Sequence, residues 1–305
     1  MKITLRGHEF IIHVLFIYNA DMAMTIFGRI VMTDTTQKNK WKRWVKLAII
    51  VYILIGVAIY LLQDMILFHP VQLKQNEKYD FSEPHREVNI PVNNQSNLNI
   101  IQFTTKDSLP AGVVLYFHGN KRNIAWYAKF APFFTKHNYE VWMIDYPGYG
   151  KSTGKFDEQT LYAWAKLLYK LARSRYPADS IIVYGKSLGT GIAAQLASTN
   201  NCKRLILETP YYSLTSMAKR YFFMYPVDWM IHYKIPTWQY LQKVEVPITI
   251  FHGTNDGLIP YRNCERLKKL LKKDDEFISI ENGSHNDLYT FPQTVSKLDS
   301  LLELN

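Results

Sequence analysis

The most constraining feature of the chain is a serine framed by two glycines between a strand-like and a helix-like segment. The pentapeptide reads Gly185-Lys186-Ser187-Leu188-Gly189. Strand-like residues 180–183 precede it and helix-like residues 190–197 follow it. In this setting G-x-S-x-G is typical of a sharp turn that raises a serine hydroxyl above the end of a sheet. Glycine is needed there because neighbouring backbone comes close enough to clash with a Cβ atom. The pattern therefore predicts Ser187 as a nucleophile.

The net charge of the chain is +10, which raises the question of a nucleic acid partner. Much of the excess lies just before an apolar segment, in Lys38, Lys40, Lys42, Arg43 and Lys46. Basic residues in that place are typical of topology determinants, so we expect no nucleic acid partner. No zinc-type cysteine spacing is present, and we expect neither a metal nor an organic cofactor. Cys202 and Cys264 form no disulfide framework, although a single bridge between them stays open.

The apolar segment predicts a membrane anchor. Residues 47–62 carry no charge. A bilayer span needs ~20 apolar residues, with ~17 as a lower limit, and Lys46 can extend the usable length by snorkelling to the interface. Trp41 and Trp44 fit an aromatic belt. A cleaved signal peptide is disfavoured because no small-residue cleavage site follows, and a core helix is disfavoured because the run has no polar face. We therefore expect a transmembrane helix over residues 45–67.

The basic flank lies N-terminal to this segment and predicts the orientation of the chain. Residues 1–44 would be cytoplasmic, and residues 68–305 would lie on the opposite, non-cytoplasmic side. Residues 1–31 do not fit a simple cytoplasmic tail, and two interpretations stay open. They are a second, weak membrane-associated helix, or they are a start-site artefact. In the second case translation begins at one of three methionines, Met22, Met24 or Met32.

Strand-like and helix-like segments alternate beyond the anchor. The predicted strands are residues 87–92, 98–104, 112–117, 140–144, 181–183, 204–207, 247–251 and 277–280. The predicted helices are residues 124–137, 157–176, 190–197, 261–272 and 294–302. This alternation predicts an α/β domain, 68–305, with a mostly parallel sheet and helices on both faces. An aromatic and methionine-rich insertion lies over residues 211–246, and in folds of this type an insertion at that place often forms a small helical cap. Its apolar side chains suit an acyl chain or lipid headgroups, or they only pack the cap onto the domain.

A serine nucleophile needs a base and a carboxylate that orients the base. In folds of this type the acid and then the histidine follow the serine along the chain. Asp256 follows the strand at residues 247–251, and His285 follows the last strand. The carboxyl ends of parallel strands share one edge of the sheet, so we expect these side chains to meet Ser187 there. Four nearby residues fit the order less well: His252, Asp274, Asp275 and Asp287.

Two backbone N–H groups are needed to bind the negative charge that develops on the substrate oxygen. One is expected from Leu188, directly after the nucleophile, and the other from Asn120, in the loop after the strand at residues 112–117. His118 is expected to shape that loop, because no partner cluster marks it as a base or a metal ligand. Asp145 is expected to hold neighbouring loops together.

Taken together, these motifs resemble the alpha/beta-hydrolase superfamily. They are Phe117-His118-Gly119-Asn120, Asp145-Tyr146 to Ser152, Gly185 to Gly189, His252-Gly253 to Asp256, and Gly283-Ser284-His285. They look most like its membrane-anchored, serine aminopeptidase-like branch, from about residue 67 to the C-terminus. The resemblance implies an alpha/beta-hydrolase fold, Ser187 as nucleophile, Asp256 as acid, His285 as base, and oxyanion donors at Asn120 and Leu188. Pro147 departs from the arginine expected in that branch. The branch name does not establish peptide cleavage.

The sequence thus predicts a single-pass, membrane-anchored serine hydrolase. We expect it to cleave carboxylic ester or thioester bonds of small-molecule or lipid-like acyl substrates. Two alternatives stay open: an amidase or aminopeptidase-type hydrolase, and a non-catalytic membrane scaffold that retains the fold. The sequence does not indicate the oligomeric state.

Overall fold

The computed structural model describes residues 35–303, so the two interpretations of residues 1–31 lie outside the described residues. The first element is a long helix, α1, Thr35–Leu67. Its stretch Lys40–Leu67 has a mean hydropathy of 2.6 and is long and apolar enough to cross a membrane. A helix can do so because all its backbone hydrogen bonds are internal. The predicted anchor, residues 45–67, lies within α1.

Eight strands form one sheet in which all but two neighbouring pairs are parallel. The strands are β1 His85–Asn93, β2 Ser96–Phe103, β3 Gly112–Phe117, β4 Tyr139–Ile144, β5 Ile181–Lys186, β6 Arg204–Glu208, β7 Ile248–Gly253 and β8 Glu276–Ile280. Their spatial order is β8-β7-β6-β5-β3-β4-β2-β1. Within this sheet, β2 alone runs opposite to the other strands, and it pairs antiparallel with β4 on one side and with β1 on the other. The predicted mostly parallel sheet is confirmed.

The central strands β3, β4, β5 and β7 are buried along their whole length. Burial on both faces explains why they read as near-continuous apolar runs. The helices after α1 are α2 Ile124–Tyr127, α3 Pro132–Thr135, α4 Glu158–Arg173, α5 Leu188–Ala197, α6 Leu214–Tyr221, α7 Val227–Met230, α8 Thr237–Leu241, α9 Tyr261–Glu265 and α10 Pro292–Leu302. Trp164 of α4 and Ile192 of α5 pack into a core on one face of the sheet. Phe134 of α3 and Leu298 of α10 pack into a second core on the other face.

Two of the predicted helices are wrong as continuous elements. Residues 124–137 form α2, a 3-10 turn Ala128–Phe130, and α3. Pro132 opens α3 because its ring supplies a helical φ but no N–H for a preceding turn. Residues 261–272 form α9 and then a 3-10 helix, Arg266–Leu270, in which Leu267 is fully buried. Packing, rather than helix propensity, decides the geometry there.

The cap consists of three short helices, α6, α7 and α8, between β6 and β7. Ser213 and Ser216 form a capping box that starts α6, each side chain bonding the other's backbone N–H. Ala218, Val227 and Ile231 form a small apolar cluster inside the cap. The cap is thus a packed unit, which agrees with the helical insertion that the sequence predicts.

Candidate active site

Ser187 lies at the turn between β5 and α5, with φ 52° and ψ −117°. Such a conformation costs a residue with a Cβ atom roughly 1–3 kcal/mol. The flanking glycines explain how the turn closes. A Cβ atom on Gly185 would lie 2.5 Å from the carbonyl oxygen of Gly189, and one on Gly189 would lie 2.0 Å from that of Phe117. Side chains are therefore excluded at both glycines, and Ser187 is held at the carboxyl edge of the sheet.

His285 reaches Ser187 from the loop after β8. Its Nε2 lies 3.0 Å from Ser187 Oγ, and its Nδ1 lies 2.8 Å from Asp256 Oδ2. Because a carboxylate can only accept a hydrogen bond, Nδ1 carries the proton of the neutral ring. Nε2 then has a lone pair that accepts from the serine hydroxyl. This is the tautomer that a general base requires.

Asp256 lies in the loop after β7 and is 5% exposed. Its Oδ1 accepts hydrogen bonds from the backbone N–H groups of Leu258, at 2.9 Å, and Ile259, at 2.8 Å. Burial favours a higher pKa for this carboxyl. The hydrogen bond and electrostatic attraction between Asp256 and His285, with the Ile259 amide, outweigh burial and hold the pKa below its ordinary value. Asp256 therefore stays ionised and can orient His285.

The four competing residues have other partners. Asp287 accepts from the backbone N–H of Ser284 at 2.7 Å, which shapes the turn that carries His285. Asp275 accepts from the Ile248 backbone N–H at 2.8 Å, and Asp274, beside it, is exposed. His252 donates through Nε2 to the Ile259 carbonyl at 2.9 Å and lies 3.7 Å from Asp256. His252 thus lies beside the acid, while His285 lies between the acid and the serine.

The loop after β3 lies against the nucleophile. A Cβ atom on Gly119 would lie 3.4 Å from Ser187 Cβ, which places Asn120 close to the reacting hydroxyl. The Asn120 side chain donates to the Leu67 carbonyl at 2.7 Å, and its own carbonyl accepts from the His69 N–H at 3.0 Å. These bonds hold the side chain and the carbonyl of Asn120 in place, and the expected oxyanion donor is the N–H of the same residue.

Leu188 is the first residue of α5. Its N–H is one of the four at a helix start that have no acceptor within the helix, so it is available to a ligand. The positive end of the α5 dipole lies at the same position and favours negative charge there. Leu188 follows Ser187 directly, so this N–H and the serine hydroxyl belong to one turn.

His118 and Asp145 lie behind the site and are completely buried. His118 donates through Nδ1 to the Gly119 carbonyl at 2.7 Å, and its ring packs 4.3 Å from that of Tyr146. Asp145 accepts from the Ile124 backbone N–H at 2.9 Å and from the Tyr79 hydroxyl at 3.4 Å. Both residues therefore hold loops together, as the sequence predicts for them.

Sequence reasoning missed a buried charge pair beneath the serine. Lys186 and Glu208, each 1% exposed, form an ion pair at the ends of β5 and β6. The Lys186 ammonium also lies 3.4 Å from the His285 carbonyl oxygen, and the Tyr184 hydroxyl donates to Glu208 at 2.6 Å. The sequence feature that could have indicated this pair is a charged residue at the carboxyl end of each of two neighbouring apolar strands. Charges are rarely buried unless they are paired.

The thiols offer no competing nucleophile. Cys202 and Cys264 are both free and buried. Burial raises the pKa of Cys202 to about 12 and also raises the pKa of Cys264, so neither forms a reactive thiolate near neutral pH. Within residues 35–303, no three His, Cys, Asp or Glu side chains lie together as a metal site would require.

Comparison with known proteins finds a family match over the middle of the chain. The family described as "Serine aminopeptidase, S33" matches residues 108–241. That range contains Asn120, Ser187 and Leu188. It ends before Asp256 and His285, so the family match carries no information about the acid and the base.

Curated relatives share the same region. Alpha/beta hydrolase domain-containing protein 17C of Xenopus tropicalis is 30% identical over 197 residues, which are 62% of this chain and 61% of the relative. The Mus musculus protein of that name is 28% identical over 197 residues, 62% of this chain and 59% of the relative. The chain therefore spans about 60% of the length of these curated relatives.

Solved structures of esterases are similar in fold. An esterase of Pyrococcus furiosus has a TM-score of 0.60 and 18% identity, covering 77% of this chain and 97% of that chain. The ferulic acid complex of Est1E from Butyrivibrio proteoclasticus has a TM-score of 0.51 and 17% identity, covering 68% of this chain and 93% of that chain. At such identities the likeness concerns the fold alone, and it confirms the predicted alpha/beta-hydrolase fold.

Proposed function

We propose that the chain, which has the alpha/beta-hydrolase fold and is similar to members of that superfamily, is a membrane-anchored serine hydrolase. It would cleave carboxylic ester or thioester bonds through an acyl-enzyme. The observation that carries the proposal is the continuous hydrogen-bonded chain from Ser187 through His285 to Asp256. A buried, ionised carboxylate, a correctly protonated imidazole and a strained serine together are what acyl transfer requires.

In the proposed mechanism, Nε2 of His285 takes the proton of Ser187 while Oγ attacks the carbonyl carbon of the substrate. The N–H groups of Asn120 and Leu188 bind the oxygen on which negative charge develops. Loss of one such donor typically costs ~3 kcal/mol of transition-state stabilisation. His285 then gives its proton to the departing alcohol or thiol, which leaves an ester between the acyl group and Ser187.

Water completes the cycle. His285, neutral again after the leaving group departs, takes a proton from water as the water oxygen attacks the acyl carbon. The same two N–H groups bind the second oxyanion, and His285 returns the proton to Ser187 Oγ as the carboxylic acid product leaves. Asp256 keeps the imidazole in one orientation through both halves and is not protonated at any step.

Membrane anchoring is the second part of the proposal. The stretch Lys40–Leu67 has the length and hydropathy of a span, and basic side chains precede its apolar core. These charges favour a cytoplasmic N-terminus and a catalytic domain on the opposite side. The substrate we propose is a small or lipid-like acyl compound. A second candidate, amide hydrolysis, is favoured by the aminopeptidase description of the matching family; a non-catalytic scaffold is the remaining alternative.

Labelling with a fluorophosphonate, followed by ester hydrolysis, tests the proposal. We expect the full-length protein to be labelled and to hydrolyse p-nitrophenyl acetate. Ser187→Ala should abolish labelling and lower turnover by a factor on the order of 10⁶ where chemistry limits the rate. Ser300→Ala, at an exposed serine of α10, is the matched control and should be labelled normally. Unchanged hydrolysis by Ser187→Ala would overturn the assignment, and no labelling of the wild type would favour the scaffold. Parallel assays with aminoacyl amides distinguish amidase from esterase activity.

A further inference from the structure

A short segment of the cap, residues 223–229, exposes large apolar side chains; it is called the exposed cap segment below. Phe223, Met224 and Trp229 are 74%, 64% and 88% exposed. Val227, between them, is buried in the apolar cluster of the cap, which holds the segment in place. A folded domain gains stability by burying aromatic rings, so exposed rings grouped in one segment are typical of a surface that contacts a partner.

The last turns of α1 present a second apolar surface. Leu61, Leu62 and Met65 are 69%, 48% and 73% exposed. These turns end the stretch Lys40–Leu67, which has the length and hydropathy of a membrane span. Asp64 lies among them and is also exposed. Because a carboxylate is costly inside the hydrocarbon core, a span that ends here places these turns at the boundary between acyl chains and headgroups.

Hydrogen bonds join the cap directly to these turns. Gln63 Nε2 donates to the Met230 carbonyl at 3.2 Å, and Gln63 Oε1 accepts from the His232 N–H at 2.8 Å. The rings of Tyr60 and His232 meet edge to face, with their centroids 4.7 Å apart. Met230 follows Trp229 in the chain, so the exposed cap segment is held beside the turns that would lie at the bilayer boundary.

The chemistry of the exposed cap segment fits the surface of a bilayer. Tryptophan combines a large apolar ring with one N–H donor, and it is enriched where acyl chains meet headgroups. Trp41 and Trp44 fit such a belt at the beginning of the span, whereas residues 61–67 contain no aromatic residue. Trp229 supplies an aromatic ring at the other end of the span.

We propose that the exposed cap segment, together with the last turns of α1, docks on the surface of a lipid bilayer. Phe223 and Trp229 enter the boundary between headgroups and acyl chains by ~5–10 Å, the depth that apolar faces of interfacial helices reach. The inference rests on the membrane anchoring in the proposed function and is independent of the roles of Ser187, Asp256 and His285. It adds a second attachment, which holds the catalytic domain against the bilayer instead of leaving it on a single helix.

Quenching by lipids tests this docking. The full-length variants Trp229→Cys and Phe223→Cys are labelled with a nitrobenzoxadiazole fluorophore. Cys202 and Cys264 are buried, and burial raises the pKa of both, so the native thiols react little. The proteins are reconstituted into phosphatidylcholine vesicles in which part of the lipid of both leaflets carries a nitroxide on its acyl chain. We expect emission at both positions to fall by about twofold or more relative to vesicles without nitroxide.

Two further cysteine variants provide the controls. Leu109 is 84% exposed and precedes β3, whereas Leu67 of α1 is bonded to Asn120, which follows β3. Leu109 therefore lies at the end of that strand away from α1, and a label in Leu109→Cys should be quenched little. Leu61→Cys, on the last turns of α1, should be quenched as strongly as the two cap variants.

The outcomes separate the docking from the anchor. Quenching in Leu61→Cys, with either folded cap variant quenched no more than Leu109→Cys, overturns the docking and leaves the anchor intact. A cap covered by a second copy of the chain gives that same result, because protein rather than lipid then surrounds the label. No quenching at any of these positions overturns both. If one cap variant loses its thermal unfolding transition, the other decides, and fluorophosphonate labelling of Ser187 tests the hydrolase separately.

Discussion

Lys186 is the residue whose position is least expected from its chemistry. A lysine ammonium with 1% exposure loses its hydration and must recover that free energy from partners. Glu208 supplies the opposite charge, and the His285 carbonyl supplies an acceptor at 3.4 Å. The pair thereby connects the strand that ends in the nucleophile with the loop that carries the base. Its geometry supports a positioning role for Lys186, one step removed from the reacting atoms.

Removing one charge of the Lys186–Glu208 pair should lower the free energy of unfolding more than removing both charges. Glu208→Gln leaves Lys186 charged and without its carboxylate, so we expect the free energy of unfolding to fall by ~3–5 kcal/mol. The double variant Lys186→Met/Glu208→Leu removes both charges and should lose less than Glu208→Gln alone. Denaturant unfolding of the full-length protein in detergent measures both values. A double variant that loses as much as Glu208→Gln, or more, would contradict the expectation.

An exposed ion pair on the cap is the control for that experiment. Lys219 and Asp228 lie 2.7 Å apart, with side chains 51% and 59% exposed. Surface pairs of this kind contribute ~0–1 kcal/mol because water and salt screen them. Lys219→Met should therefore change the unfolding free energy far less than Glu208→Gln does.

Among the elements, β7 and the loop after it bring two titratable groups into one buried site. His252 is the penultimate residue of the strand, and its Nε2 lies 3.7 Å from Asp256 Oδ2 in the loop. Burial lowers the pKa of His252 below its ordinary value of 6.5, although the charge of Asp256 opposes the shift. The unfolded chain therefore binds a proton near pH 6.5 that the folded chain binds only at lower pH. It follows that this histidine makes the folded state less stable as the pH falls.

We expect His252→Gln to weaken that pH dependence. Between about pH 7.5 and about pH 5, where histidines titrate, the Tm of the wild type should fall more than the Tm of the variant. His85→Gln, at an exposed position of β1, is the control and should retain the wild-type fall. Thermal unfolding in detergent followed by intrinsic fluorescence measures all three. An equal fall in wild type and His252→Gln would show that this histidine does not contribute.

The strands were more predictable than the helices, for a physical reason. A strand buried on both faces, such as β3 or β7, must be apolar throughout, and it reads that way in the sequence. The segment at residues 124–137 is apolar for another reason: its short turns pack into the core at several angles. Composition alone does not distinguish one long helix from two short ones separated by a 3-10 turn. Pro132 was the one local feature of the sequence that indicated the start of a second short helix there.

The residues of the candidate site also differ in how far the sequence could predict them. Ser187, Asp256 and His285 could be proposed because each follows a strand and all parallel strands end at one edge. Their roles remain predictions, which Ser187→Ala addresses first. The pairing of Lys186 with Glu208 could not be read, because it depends on β6 lying beside β5 with their ends in register. Register between strands is a property of the assembled sheet.

At the scale of the whole molecule, the main prediction concerns the side of the membrane on which the catalytic domain lies. The proposed topology places residues 68–305 on the non-cytoplasmic side. Asn94-Gln95-Ser96 is an N-glycosylation sequence, and it lies in the exposed turn of the β1–β2 hairpin. An exposed site of this kind on a translocated domain is a ready acceptor.

We therefore expect the protein to carry a glycan on Asn94 when it is expressed in a eukaryotic secretory host. Treatment with a glycosidase should increase its mobility on a denaturing gel, and Asn94→Gln should remove that contribution. Asn282-Gly283-Ser284 is a second such sequence, so the variant lacking both asparagines should show no shift. A wild type that is membrane-bound but carries no glycan would indicate the opposite orientation.

The bonds that Asn120 makes to Leu67 and His69 give the predicted anchor a further consequence. The chain leaves α1 at Leu67, and Asn120 is bonded to that residue and to His69 just beyond it. A spanning helix changes its tilt when the thickness of the surrounding bilayer changes. We expect a change of tilt to displace Leu67 and His69, the two residues to which Asn120 is bonded. If α1 spans the bilayer as we propose, the thickness of the bilayer then influences the position of the expected oxyanion donor.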